Sequence, residues 1–211
     1  MAEPQDPVGE RYRRLDAFLE RLQADIYPEP PSPLHAQITQ HMFDQVRELY
    51  DLPAGGSVLD VGCGQGVALE LFAAAGFKAT GVTIGDDAAI CRAKGFEVIE
   101  QDFSFLDFND AAFDLVWCRH ALEHSVFPYF TLCEMLRILK PGGLLYVEVP
   151  APDTACNHQK NPNHYSVLGK SMWLSLIQRA GFPEVRMRDL DFTTGRGPDT
   201  YWAFMQQRPA L

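Results

Sequence analysis

The sequence has little positive charge and no long apolar run. Its 211 residues include 18 basic and 28 acidic side chains, which gives a net charge of −10. Surfaces that bind nucleic-acid phosphates normally carry an excess of Lys and Arg, so we expect no nucleic-acid partner. A bilayer-spanning helix needs about 20 consecutive apolar residues. No such run occurs, so we expect no membrane partner either.

Cysteine is also scarce, and its spacing argues against two kinds of covalent framework. The five cysteines are odd in number and never stand in a CxxC pair. This pattern disfavours a disulfide framework and a structural zinc site, and it is typical of reduced intracellular thiols. The segment 1–14 has no apolar core of the kind that a secretory signal requires. We therefore expect a cytoplasmic protein.

Two amphipathic stretches open the chain. Apolar residues recur at helical spacing in 10–26 and again in 38–50, with charged residues between them. A proline cluster separates the two stretches: Pro28, Pro30, Pro31 and Pro33. Residues 1–54 are too few to hold a core of their own. We interpret them as an N-terminal helical cap, either a lid or a dimer surface, on a main domain of residues 55–211, in a monomer or a homodimer.

From residue 57 onward, short apolar runs alternate with helical stretches. The runs are continuous, as expected for parallel strands that are covered on both faces. Strands are predicted at 57–61, 78–82, 97–101, 113–118 and 144–150, and helices near 66–75, 86–94, 128–139 and 169–180. Two further extended runs follow at 184–192 and 199–208. With right-handed crossovers, this order gives a doubly wound α/β sheet.

The most informative motif is Val-Leu-Asp-Val-Gly-Cys-Gly-Gln-Gly at residues 58–66. It joins a strand to a helix through a glycine turn, which lets a ligand approach the backbone closely. A dinucleotide-binding turn would need its third glycine one position later, where Val67 stands. The spacing therefore favours a nucleoside cofactor without a pyrophosphate. The run resembles the first motif of class I S-adenosylmethionine-dependent methyltransferases.

Further motifs carry this resemblance from about residue 56 to 150. It implies a Rossmann-like, seven-stranded sheet that is mostly parallel and ends in an antiparallel C-terminal hairpin. It also implies S-adenosylmethionine as cofactor and S-adenosylhomocysteine as product. Asp60 would face the amino group of the methionine part, and Asp102 would face the adenine. The residues implied for cofactor binding are Asp60, Gly62, Cys63, Gly64, Gly66, Thr83, Ile84, Asp102, Phe103, Cys118 and Arg119.

Thr83 departs from the family pattern. The family usually has an acid at this position, which accepts two hydrogen bonds from the ribose diol. A threonine hydroxyl makes only weaker neutral bonds. Two acids follow shortly, Asp86 and Asp87. Either one supplies the missing carboxylate, or both belong only to the N-terminal cap of the next helix.

Four of the six histidines fall in two segments that should open onto the edge of the sheet where the cofactor binds. His120 and His124 follow the fourth predicted strand, and His158 and His164 follow the fifth. In one interpretation, His120, His124 or His164 is a general base, with His124 the best single candidate. In a less favoured one, several of these four histidines and Glu148 hold a divalent metal. In a third, the histidines are structural.

The sequence thus predicts an S-adenosylmethionine-dependent methyltransferase that acts on a small molecule through an oxygen, nitrogen, sulfur or carbon atom. The polar loop 157–165 is expected to contribute to acceptor binding, with Tyr165 as an aromatic wall. Two alternatives stay open: a methyltransferase that acts on protein, and a non-catalytic, cofactor-binding regulatory subunit.

Overall fold

A computed structural model describes residues 7–23 and 30–210 of the chain. The helices are α1 Pro7–Gln23, α2 Pro33–Leu49, α3 Val67–Ala74, α4 Asp86–Ala93, α5 Pro128–Ile138 and α6 Lys170–Arg179. The strands are β1 Ser57–Val61, β2 Lys78–Thr83, β3 Glu97–Glu100, β4 Phe113–Arg119, β5 Leu139–Pro150, β6 Arg186–Thr194 and β7 Gly197–Gln207. Single 3-10 turns lie at Leu122–His124 and His158–Lys160.

The strands form one seven-stranded sheet in the order β3-β2-β1-β4-β5-β7-β6. Strands β1 to β5 run parallel to one another, and β7 pairs antiparallel with both β5 and β6. The predicted doubly wound sheet and its C-terminal hairpin are therefore confirmed. The chain order reverses between β1 and β4, which is the point where open α/β sheets bind their ligands.

Helices cover both faces of this sheet, which explains why the strands are apolar on both sides. On one face, α5 and α6 pack Leu132 and Trp173 against the strands. On the other, α2 and α3 pack Met42 and Phe72 against Trp117 of β4. Because neither face meets water, β1, β4 and β5 carry no alternation of polar and apolar residues over their buried lengths.

Two element boundaries differ from the sequence expectation. Pro33 does not extend the proline break but opens α2, where Ser32 caps the helix by accepting a hydrogen bond from the His35 amide at 3.2 Å. Strand β5 begins at Leu139, five residues earlier than the apolar run suggests, because Leu139 already pairs with Phe113 of β4. Ile26 and Pro28 of the predicted N-terminal pattern lie outside the described residues.

Helix α1 is the least embedded element. None of its described side chains is fully buried, and Tyr12 is more than half exposed. Across residues 7–23 and 30–210, no helix combines the length and the apolarity needed to cross a bilayer.

Candidate active site

A cavity of about 290 Å³ opens at the carboxyl ends of the parallel strands. One part of its wall, here called the glycine-turn side, consists of residues at the ends of β1 and β2 and in the segments after β1, β2 and β3: Asp60, Gly62, Cys63, Gly64, Gln65, Thr83, Ile84, Asp87, Asp102, Phe103 and Ser104. The other part, here called the histidine side, comes from α2, the end of β4, and the segments after β4 and β5: His35, Arg119, His120, His124, Asn163 and Tyr165. Leu22 and Pro31 also line the cavity.

The glycine turn is held against β2 and against the loop after β4. The amides of Gly62 and Cys63 both donate to the Val82 carbonyl, at 2.8 and 3.0 Å. Gly62 has a φ of +72°, and a Cβ there would lie 2.4 Å from the Cβ of Ala121. Only glycine tolerates both the backbone angle and this close approach.

Asp60 is a buried carboxylate that lacks a donor. It is 3% exposed and lies at the end of β1. No side chain in the described part of the protein donates a hydrogen bond to it. Burial raises the pKa of Asp60 to about 7, against the opposing effect of Arg119. A ligand that brings an ammonium group into the cavity would supply the missing partner, as the methionine part of S-adenosylmethionine does.

The structure separates the two acids that follow Thr83. Thr83 is buried at the cavity wall, and Asp87 lines the cavity with a buried Oδ1 that has no partner among the described residues. Asp86 is exposed and lies outside the wall. Gly85 occupies the N-cap of α4, so neither acid is the helix cap. Asp87 is therefore the acid within reach of a ligand.

Asp102 and Phe103, which the family resemblance assigns to the adenine end, also line the cavity. The Asp102 Oδ1 accepts a hydrogen bond from the Ser104 amide at 2.7 Å, which fixes the turn after β3. Gly66 and Cys118 do not line the cavity. Gly66 is the left-handed N-cap of α3, and Cys118 is fully buried in the core, where burial raises its pKa well above its usual value.

The histidine side leads into a cluster of five imidazoles, here called the histidine cluster: His35, His120, His124, His158 and His164. Ring centroids are 5.7 Å apart between His35 and His120, 4.6 Å between His124 and His164, and 5.9 Å between His158 and His164. The four predicted histidines are thus brought together by the fold. His35 was not predicted, because it precedes the amphipathic stretch 38–50 from which the second helix was inferred, whereas α2 begins at Pro33.

Glu148 has the partners expected of a fully buried carboxylate. Its Oε1 lies 2.8 Å from Arg119 Nε, an ion-pair contact without hydrogen-bond angles, and 3.1 Å from His120 Nε2. The Tyr146 hydroxyl donates to its other oxygen. Burial disfavours the charged carboxylate, but Arg119 and His120 outweigh it, so the pKa of Glu148 is lowered. With both oxygens in contact, Glu148 is not open to a metal.

His120 lies between two buried carboxylates. Its Nε2 faces Glu148, and its Nδ1 lies 3.4 Å from Oε1 of Glu123. Burial and Arg119 lower the pKa of His120, but the two carboxylates outweigh them and the net shift is upward. His120 has a φ of +50°, an unfavourable backbone angle for a residue with a side chain. Such strain persists where the surroundings hold it in place.

Glu123 was not predicted as a site residue. It is 1% exposed, and neither of its oxygens has a hydrogen-bond partner among the described residues. Burial opposes its charge, but His120, His124 and His164 outweigh this and hold the pKa of Glu123 at about 2. Burial lowers the pKa of His164 to about 4. The carboxylate is therefore ionised, and the His164 ring is neutral near neutral pH.

A second group of polar side chains lies beside the cluster but has its contacts filled. His158 Nε2 lies 2.9 Å from Asp199 Oδ2, and the other Asp199 oxygen accepts from the Thr200 amide at 2.9 Å. Cys156 Sγ contacts the Thr194 hydroxyl at 3.4 Å. His158 does not line the cavity.

Comparison with known proteins places this architecture in a family. The model of the methyltransferase domain family matches residues 34–175, which is more than half of the chain. A ubiquinone biosynthesis O-methyltransferase of Xanthomonas oryzae is 35% identical over 126 residues, which cover 56% of this chain and 52% of that protein. The 24-methylenesterol C-methyltransferase 2 of Oryza sativa is 30% identical over 152 residues, 67% of this chain and 41% of that protein.

Solved structures share the fold along most of the chain. The SpnF cyclase superposes with a TM-score of 0.70 at 22% identity and covers 97% of this chain and 96% of its own. Phosphoethanolamine N-methyltransferase 2 of Haemonchus contortus, solved with S-adenosylhomocysteine, has a TM-score of 0.70 at 13% identity, with coverage of 81% and 52%. The chain spans about half the length of the first of its curated relatives. From its motifs, its sheet and the family match, the chain belongs to the methyltransferase domain family, within the class I S-adenosylmethionine-dependent methyltransferases.

Proposed function

We propose that this protein binds S-adenosylmethionine and transfers its methyl group to a small-molecule acceptor. The observation that carries the proposal is a single cavity with two unlike walls. No described residue donates a hydrogen bond to the buried Asp60 or to the buried Oδ1 of Asp87 on the glycine-turn side, and His124 on the histidine side lines the same cavity. An acceptor there would lie beside the methyl donor, and positioning of this kind supplies much of the rate in a displacement reaction.

The residues of the glycine-turn side fit the cofactor. Asp60 would accept from the ammonium group, Asp87 together with Thr83 from the ribose hydroxyls, and Asp102 from the adenine amino group. The bound sulfonium supplies an activated methyl group, whose bond to sulfur breaks as the acceptor atom attacks carbon and whose electron pair stays on sulfur. The protein then has to position the acceptor, exclude water and accommodate any proton that the acceptor loses.

Our proposed catalytic group is His120, His124 and His164. His124 Nδ1 donates to the Asn163 carbonyl at 2.9 Å, so in the neutral ring Nε2 keeps its lone pair. His164 packs edge-on against the His124 ring, and His120 is anchored between Glu123 and Glu148. The acceptor's nucleophilic atom would sit at His124, with Tyr165 as a neighbouring wall.

A small acceptor fits the enclosure of the cavity. His35 and Ala36 of α2 and Leu22 of α1 line the cavity from the N-terminal part of the chain. The relatives are named for work on ubiquinone and sterol precursors, which are small molecules. The excess of acidic residues disfavours a nucleic-acid acceptor. A monomer or homodimer and a cytoplasmic location belong to the same proposal.

The test is release of S-adenosylhomocysteine from S-adenosylmethionine across a panel of phenols, catechols, amines, thiols and hydroxy acids. Turnover with one acceptor class, and loss of turnover in Asp60→Asn, is the expected result. Tight cofactor binding with no turnover on any small acceptor would contradict the proposal. It would favour a protein acceptor or a non-catalytic role.

We further propose that residues 1–54 act as a lid on the domain of residues 55–211. Leu22 and His35 bring this segment to the cavity, while α1 has no buried core of its own. Deletion of residues 1–30 should raise the KM for the acceptor more than the dissociation constant of the cofactor. Equal losses of both in a truncated protein that still melts cooperatively would instead favour a dimer surface.

A further inference from the structure

Next to His124 of the cavity wall, two side chains hold buried polar atoms that have no hydrogen-bond partner among the described residues. The atoms are Oε1 and Oε2 of Glu123 and Nδ1 of His164. Buried polar groups are nearly always hydrogen-bonded, and a buried charge without compensation is especially costly. The nearest cationic contact of Glu123 is His120 Nδ1 at 3.4 Å, which is not a hydrogen bond. Oε1 of Glu123 therefore has only this ion-pair contact, and Oε2 has no hydrogen-bond partner among the described residues.

Side chains of the types that bind transition metals lie close together around Glu123. One ligand atom each of Glu123, His124 and His164 lie within 4.8 Å of one another. His124 is oriented in the manner typical of a metal ligand, because its Nδ1–H donates to the Asn163 backbone carbonyl and Nε2 is the ring nitrogen left for an ion.

We propose that Glu123, His124 and His164 form a binding site for a divalent first-row transition metal ion. Two imidazoles and one carboxylate suit Mn²⁺, Fe²⁺, Co²⁺ or Zn²⁺ and leave coordination positions open. Of the three residues, His124 lines the cavity, so an ion held there would meet the acceptor on the His124 side. The inference rests on the proposed function and states how the histidine side activates the acceptor: the Nε2 lone pair of His124 binds the ion, and the ion binds the acceptor.

The chemistry is that of a Lewis acid acting on an oxygen nucleophile. An acceptor hydroxyl bound to the ion becomes more acidic and loses its proton to solvent water. The resulting oxyanion forms the new bond to the methyl carbon, while the electron pair of the breaking carbon–sulfur bond stays on sulfur. The acceptor class is therefore an oxygen nucleophile that can bind a metal, such as a catechol or an α-hydroxy acid.

The neighbouring group of Cys156, His158 and Asp199 provides an internal contrast. Its ligand atoms are equally close together, but the imidazole and carboxylate already contact each other and the thiol contacts Thr194. Binding an ion there would break existing contacts. Binding an ion at Glu123 would instead give a partner to atoms that have none among the described residues.

The experiment is titration of chelator-stripped protein with Co²⁺, followed by visible absorption and by calorimetry. The wild type should bind one equivalent with a coordination spectrum. Glu123→Gln and His164→Gln should each weaken that site by about a hundredfold or more, since even outer contacts of a metal ligand are worth about 10- to 100-fold. His41→Gln, which removes an exposed imidazole from α2, is the matched control and should bind like the wild type.

Each outcome decides the question. Absence of stoichiometric Co²⁺ binding in the wild type overturns the proposal, as does unchanged affinity in both cluster variants. If only His158→Gln lost Co²⁺ binding, the ion would be bound by the group of Cys156, His158 and Asp199, and the proposal would also be overturned. S-adenosylhomocysteine binding, measured on every variant, reports that the fold is intact. Because metal binding needs no turnover, failure here is distinct from failure to find methyl transfer.

Discussion

The two walls of the cavity are built in opposite ways. On the glycine-turn side, Asp60 lies near the end of β1 and Asp87 in the first turn of α4, and no described residue donates a hydrogen bond to either carboxylate. On the histidine side, Glu148 forms an ion-pair contact with Arg119 at 2.8 Å and a hydrogen bond with His120 at 3.1 Å inside the protein. The first wall keeps its polar groups open for a ligand, whereas most of the second is an internal network. Removing a charge on the glycine-turn side should therefore weaken ligand binding, whereas removing a charge on the histidine side should lower the free energy of unfolding.

The largest expected effect is on the histidine side. Glu148→Gln removes the charge that compensates Arg119 and His120, and breaking a buried ion pair in this way costs about 3–5 kcal/mol of unfolding free energy. The matched control is Glu100→Gln, which breaks a surface pair with Arg92 whose side chains are about half exposed. Such pairs contribute only about 0–1 kcal/mol. Urea unfolding of both variants measures the difference, and equal losses would mean that the network is not stabilising.

The next largest effect lies on the glycine-turn side, where we expect a loss of ligand affinity without a loss of stability. Asp60→Asn should weaken S-adenosylmethionine binding by tenfold or more, about 1.4 kcal/mol, because the ligand loses its carboxylate partner. The melting temperature should not fall, since the variant no longer buries an unpaired charge. Calorimetry and thermal unfolding test both halves of this statement, with the exposed Asp51→Asn as control. If Asp60→Asn bound S-adenosylmethionine as tightly as the wild type, Asp60 would not be a cofactor-binding residue.

The raised pKa of Asp60 makes the same contact sensitive to pH. With a pKa of about 7 in the free protein, the carboxylate becomes protonated as the pH falls from about 8 to about 6. Only the ionised form attracts the ammonium group, so binding below the pKa releases a proton and affinity should fall by about tenfold per pH unit there. Calorimetry in buffers of different ionisation enthalpy measures the released proton. An identical slope in Asp60→Asn would assign the effect to another group.

The contrast between the walls also explains what could be predicted from the sequence. The glycine-turn side consists of strand ends and the short turns after them, so residues such as Asp60 and Asp102 are recognisable from local motifs. The histidine side is assembled from segments far apart in the chain, and no local pattern in the sequence indicates that His35 and His120 are in contact. Glu123 was not predicted, and only its burial without hydrogen-bond partners among the described residues distinguishes it. Cys118 was predicted from its place in a motif to contribute through nearby backbone groups, and its buried side chain does not test that prediction.

The smallest expected effect concerns the acid that replaces the usual ribose partner. Asp87→Asn keeps the shape of the side chain but removes the charge of an oxygen that is buried and open to the cavity. One hydrogen bond contributes about 0.5–1.5 kcal/mol, so S-adenosylhomocysteine binding should weaken by about two- to tenfold. Asp86→Asn is the matched control, because the neighbouring acid is exposed and should have no effect. If 2′-deoxy and 3′-deoxy analogues of S-adenosylhomocysteine lose affinity for the wild type but not for Asp87→Asn, the contact is to the ribose. If the analogues lose affinity equally with both proteins, Thr83 alone binds the ribose, and the glycine-turn side would have lost its acid without replacement.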